Sequence, residues 1–133
     1  MKSIMVAASG LKAQTGRMRI IAENIANAGS TAKTADGQPY RRRIITFEAS
    51  FDRQLQAELV KANKVKFDNS AFGKKFEHGH PAADKAGYVK TPNVSTLVEM
   101  MDMRQAQRSY EANLNVIRAA RVMAGRTLDI LRG

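Results

Sequence analysis

Two histidines, three consecutive arginines and two asparagines at helical spacing are the side chains here with most chemistry to offer. His78 and His80 are the only histidines, and His-x-His can hold a metal when a third ligand joins. The chain has no cysteine, and Glu77 and Asp84 do not stand at ligand-like spacing, so a solvated turn without metal is expected. Gly73-Lys74 lacks both the upstream glycine and the following Ser or Thr of a phosphate-cradling loop. There is no Gly-x-Ser-x-Gly elbow and no singled-out carboxylate pair. The expectation is no catalytic residue, no cofactor site and no metal site. Arg41, Arg42 and Arg43 read either as a solvated strand end or as a partner contact. Used on phosphates, they would make this a small basic nucleic-acid-binding protein whose affinity falls steeply with salt. Asn24 and Asn27 lie three apart on one helix face, where their amides can reach the last helical carbonyls or the backbone of a neighbouring chain.

Charge bears on the second reading. The chain carries 22 Lys plus Arg against 12 Asp plus Glu, net +10. The excess is spread along the sequence rather than gathered in one stripe, which is a weak nucleic-acid signal. Absent cysteine excludes disulfides and the usual zinc sites. No apolar run approaches the roughly 18 residues of a membrane span. Lys2 followed by Ile4-Met5-Val6-Ala7-Ala8 imitates a signal peptide cleaved near Ala7-Ala8-Ser9. That apolar core is short and is broken by Ser9, Gly10 and Lys12, so the segment is expected to be retained.

The elements that must position these residues are two helices. From Pro92 to Leu131, apolar residues Met103, Tyr110, Ile117, Ala124 and Leu131 recur every seven, with Ala106, Leu114, Ala120 and Leu128 between them. This is a narrow stripe close to a heptad, suited to packing along another helix. Pro92 forbids helix before it, Asn93 or Ser95 can cap the start, and Glu99 and Asp102 lie near the positive end of the dipole. At about 1.5 Å per residue such a helix is about 57 Å long and needs something to lie against. Ile4, Leu11, Met18 and Ile25 also recur every seven, widened by Ala7, Ala8, Ile21 and Ala22. This first helix should run from about residue 3 to Ala28 and stop through a left-handed Gly29. The methionines fall mainly on or beside the stripes and suit a flexible protein contact.

The middle differs. Ser30 to Tyr40 has loop composition, with a turn at Asp36-Gly37. Tyr40 to Phe47 reads as a strand. Ser50 to Ala62, with Phe51, Leu55 and Leu59 at spacing four, reads as a short helix. Val65–Asp68 and Phe72–Phe76 alternate apolar and polar, as small strands or extended loop; His80 to Gly87 is turn-rich, and Tyr88-Val89-Lys90 leads into the long helix. The fold class is therefore mainly α. Long terminal helices over 1–30 and 94–133 pair as a coiled coil around an irregular, β-containing segment over 31–93.

Particular stretches add a resemblance. Ala22-Glu23-Asn24-Ile25-Ala26-Asn27-Ala28-Gly29, after Ser9-Gly10-Leu11, resembles the end of the first helix in the flagellar axial proteins, the rod, hook and hook-associated subunits. His80-Pro81-Ala82-Ala83-Asp84, Gly87-Tyr88-Val89-Lys90-Thr91-Pro92-Asn93-Val94, Glu99-Met100-Met101, Arg108-Ser109-Tyr110-Glu111-Ala112-Asn113 and Thr127-Leu128 are similar to the proximal rod members. The short middle agrees, since hook and distal rod subunits carry larger ones. The resemblance implies a structural subunit of the bacterial flagellar basal-body rod. It would be passed unfolded through the flagellar export apparatus without a cleaved signal and stack helically across the periplasm, carrying torque from motor to hook. Its partners would be other rod subunits and copies of itself, with no nucleic acid and no membrane span. The implied interface is Ile4, Leu11, Met18, Ile21, Asn24, Ile25 and Asn27 on the first helix. On the second it is Met103, Tyr110, Asn113, Leu114, Ile117, Ala124, Leu128 and Leu131.

Overall fold

The computed structural model describes all residues, 1–133. Helix α1 (Lys2–Ala26) opens the chain and α2 (Thr96–Arg132) closes it. Six short strands lie between them in sequence: β1 (Arg43–Ile44), β2 (Phe47–Asp52), β3 (Ala57–Ala62), β4 (Lys66–Phe67), β5 (Gly73–Phe76) and β6 (Tyr88–Thr91). They pair as three antiparallel two-stranded ribbons, β1 with β4, β2 with β3 and β5 with β6. Neither helix is long and apolar enough to cross a membrane.

The end of α1 departs slightly from expectation, while Ser95 takes the expected place at the start of α2. α1 stops at Ala26, and Gly29 is not left-handed. The Asn27 amide donates to the Glu23 carbonyl at 2.9 Å, while the Ser30 hydroxyl donates to Asn27 Oδ1 at 3.0 Å. Asn27 thus satisfies a terminal carbonyl that a left-handed glycine would otherwise serve. At α2, Ser95 is the residue before the first turn, and its carbonyl accepts from Glu99 N at 3.0 Å. Asn93 is occupied elsewhere.

The chain folds as two compact units. The first comprises residues 1–18, 46–64 and 104–133. Here the helices run antiparallel: Gly10 lies against Asn113, and Arg17 Nη2 donates to Gln105 Oε1 at 3.2 Å. A Cβ on Gly10 would sit 2.7 Å from Asn113 Nδ2, so any larger residue here must shift that side chain. Ala7, Ala13 and Ala106 are buried as well. Small side chains let the backbones approach.

The β2–β3 hairpin of this unit overturns the helix expected over residues 50–62. Phe47 pairs with Ala62 through to Asp52 with Ala57. The Asp52 carboxylate accepts from the backbone N–H of Gln54 at 2.8 Å and of Leu55 at 3.1 Å, and Gln56 takes φ 51°. That side-chain-capped turn reverses the chain where a helix would have continued. Val60 N donates to Ser9 Oγ at 3.0 Å, tying the hairpin to α1.

The second unit comprises residues 19–45 and 65–103. The strand expected over 40–47 shrinks to Arg43–Ile44, which pair with Phe67 and Lys66. Side chains take the neighbouring backbone groups instead: Arg42 N donates to Asn93 Oδ1 at 2.7 Å and Arg43 N to Asn24 Oδ1 at 3.0 Å. Small strands expected near 65–68 and 72–76 are present as β4 and β5. Tyr88-Val89-Lys90, expected as a lead-in to the helix, lies in β6, which pairs with β5 and places Val89 in the core.

Candidate assembly interface

Asn24, an arginine-bearing strand end and an acidic first turn of α2 would each be ordinary alone. Folding brings them into one buried network in the second unit. Asn24 is 1% exposed and Glu99 is fully buried. The Asn24 amide donates to Glu99 Oε2 at 3.3 Å and to the Arg43 carbonyl at 2.8 Å. Its oxygen accepts from Arg43 N and, at 2.8 Å, from the Tyr40 hydroxyl. Glu99 Oε1 accepts from Arg42 Nε, and the same guanidinium reaches Asp68 at 3.2 Å and Asp102 at 3.5 Å. Every donor and acceptor of the Asn24 side chain is satisfied, as a buried amide requires.

The electrostatics follow from this geometry. Burial pushes the Tyr40 hydroxyl above its ordinary value, against the lowering effect of nearby Arg43. Burial works to lower Arg42, but its hydrogen bond and charge pairing with Glu99 prevail and hold it above its ordinary value. The Asp68 carboxyl is held below the usual carboxylate range by hydrogen bonds from Ser70, first its backbone N–H, with Arg42 adding to the effect.

The arginine triplet makes contacts within its own chain. Arg41 donates to the carbonyls of Asp68 and Ser70 and stacks 4.2 Å over Phe72. Arg42 serves three carboxylates. Arg43 pairs with Glu23 at 3.5 Å and lies over Tyr40 and Phe67. All three stitch the second unit together. His80 is likewise engaged: Nδ1 accepts from Ala82 N at 2.9 Å and Nε2 faces Thr31 Oγ1 at 3.2 Å.

The expected interface residues fall into four groups. Asn24 and Ile21 are sealed within the chain. Asn27 caps its own helix. Ile4, Leu11, Met18 and Ile25 are half-buried, as are Met103, Tyr110, Asn113, Leu114, Ile117 and Ala124. Leu128 and Leu131 are 56% and 77% exposed. Along α1 the sealed line is Ala7, Gly10, Ala13, Ile20, Ile21 and Asn24, to one side of the expected heptad. Ile4, Leu11, Met18 and Ile25 therefore flank the intrachain contact, while Ile21 is sealed within it.

Gly10, Tyr40, Arg42, Asp68, Asn93 and Glu99 were not legible as a group. One signal was available. Gly10, Arg17 and Asn24 repeat every seven residues, as do Glu99, Ala106 and Asn113. Small or polar residues at heptad spacing mark a close, specified helix contact.

Two family models match the ends of the chain: "Flagella basal body rod protein" over residues 4–32 and "Flagellar basal body rod FlgEFG protein C-terminal" over residues 85–130. Among curated proteins, the chain is 48% identical over 127 residues to the flagellar basal-body rod protein FlgC of Agrobacterium fabrum, covering 96% of this chain and 91% of that one. It is 38% identical to FlgC of Borreliella burgdorferi, covering 98% and 97%, and 36% identical to FlgC of Bacillus subtilis, covering 96% and 95%. With helices, short middle and both terminal signatures in agreement over nearly the full length, the chain belongs to the FlgC family of flagellar basal-body rod proteins.

Proposed function

We propose that this chain is a structural subunit of the proximal rod that assembles helically through α1 and α2. The two helices form a coiled coil whose uncovered stripes are completed by other rod subunits and by copies of the chain. Rigid stacking of this kind carries torque from motor to hook, and the subunit reaches its place through the flagellar export apparatus. It performs no catalysis. The observation that carries the reading is the apolar stripe at the end of α2. Leu128 and Leu131 continue the helix's apolar repeat, yet their own chain leaves them 56% and 77% exposed. An apolar stripe on a long helix is stable when something covers it.

The test is a strain lacking its own copy of the gene and supplied with an epitope-tagged version. Isolated basal bodies should carry the tag within the rod, and the unsupplied strain should build neither rod nor hook. Complete rods and hooks without the chain would overturn the proposal.

A further inference from the structure

The β5–β6 ribbon has an outward face that its own fold does not explain. Residues paired across the ribbon share a face, so Lys74 with Lys90 and Phe76 with Tyr88 make a two-by-two patch. Val89, on the opposite face, is buried and marks the inward side. Phe76 and Tyr88 form an edge-to-face pair with centroids 5.4 Å apart, yet remain 62% and 44% exposed. Lys74 and Lys90 stand directly opposite, and neither has an acidic partner within the chain. Like charges opposed on a ribbon destabilise it, and lysine and glycine are weak strand formers. Gly87 fixes the arrangement: at φ +87° it lacks the Cβ that would sit 2.7 Å from the Phe76 ring. A local arrangement that opposes folding without compensation marks a surface shaped for something else.

We infer that this face docks an acidic surface of a second, different protein in the same assembly; the inference rests on the rod-subunit reading. The aromatic pair supplies the apolar centre that dominates contact energy. The lysines at its side select a partner of opposite sign. A second copy of this chain is a poor occupant, because each copy is net +10. Half of its twelve acids are also committed: Glu23, Asp68, Glu99 and Asp102 sit in internal ion pairs, and Asp52 and Asp84 bind backbone in turns. Phe76 and Tyr88 pack edge-to-face on one another and form an apolar surface suited to a folded protein face.

The experiment places the photo-crosslinking residue p-benzoyl-phenylalanine at Phe76 in the full chain, in cells that build basal bodies. Tyr88 is the alternative position if the first variant does not swim. After irradiation, basal bodies are purified and the product identified by mass spectrometry. The expected product joins the chain to a different protein of net negative charge. Lys74→Glu with Lys90→Glu should cut its yield about tenfold, while the same charge change through Lys33→Glu with Lys64→Glu leaves it within about twofold. A product containing only a second copy, a protease-resistant polymer product, or equal loss in both variant pairs would overturn the inference. So would no product with the chain present in basal bodies. Absence of the chain from basal bodies would instead sink the rod reading, and this inference with it.

Discussion

Asn24 on α1 and Glu99 on α2, 75 residues apart in sequence, meet in a buried hydrogen bond of 3.3 Å. It joins a helix whose face reads as an apolar seam to a helix whose first turn reads as a dipole cap. A buried polar contact of this kind stabilises little against an apolar alternative, but it admits few alternative registers.

Glu99→Ala removes the shared partner of Asn24 and Arg42, and should lower stability by about 2–4 kcal/mol. Glu99→Gln keeps the shape and one acceptor, and should cost less. The Glu99→Ala, Arg42→Ala double variant should fall short of additivity by about 1 kcal/mol or more. Denaturant unfolding of the four proteins measures this, and strict additivity would contradict the network.

Gly10→Val should destabilise by about 1–3 kcal/mol, because its side chain must displace the Asn113 amide. Asn113 Nδ2 is anchored on the Ser109 carbonyl at 3.0 Å and cannot yield freely. Adding Asn113→Ala should recover part of the loss. Thermal melts of the single and double variants decide it, and no recovery would place the strain elsewhere.

Acid should weaken the second unit through Asp68. Its folded pKa lies below its unfolded value, so its contribution is complete above the unfolded pKa of about 3.9 and is lost as pH falls through the lower folded value. The stability gap between the parent chain and Asp68→Asn should therefore be flat above about pH 5 and close below about pH 4. A gap independent of pH would contradict this.

Amide exchange on the free chain should be slowest over residues 19–26 and 97–106, which hold the buried network and Ala106. It should be fastest past Ala124, where α2 loses cover. The fast segment should become protected in assembled rods. Uniform protection along α2 in the free chain would show that it needs no neighbour.

The helices were legible because a heptad of large apolar residues survives any tertiary context. Their strict facing was not, because Ala7, Gly10 and Ala13 promote contact by being small, and periodicity scores size. The β2–β3 hairpin is ambiguous in sequence because Phe51, Leu55 and Leu59 suit either period, and the deciding turn rests on one carboxylate, Asp52. The arginine triplet was ambiguous for a related reason. Its partners Glu23, Asp68, Glu99 and Asp102 are scattered along the chain, and only folding gathers them.

The central claim is that the end of α2 is a seam covered by other subunits. Leu114 and Ile117 are half-buried within the chain, so Asp at either would confuse folding with assembly. Leu128 and Leu131 are largely free of their own chain, so Asp there costs the free protein little but would place an unpaired charge in a covered contact. The most direct measurement is electron microscopy of basal bodies from cells whose only copy carries Leu128→Asp and Leu131→Asp, alongside circular dichroism of the purified variant. The account predicts unchanged helicity, no completed rods and no swimming. Normal rods and normal swimming would contradict it.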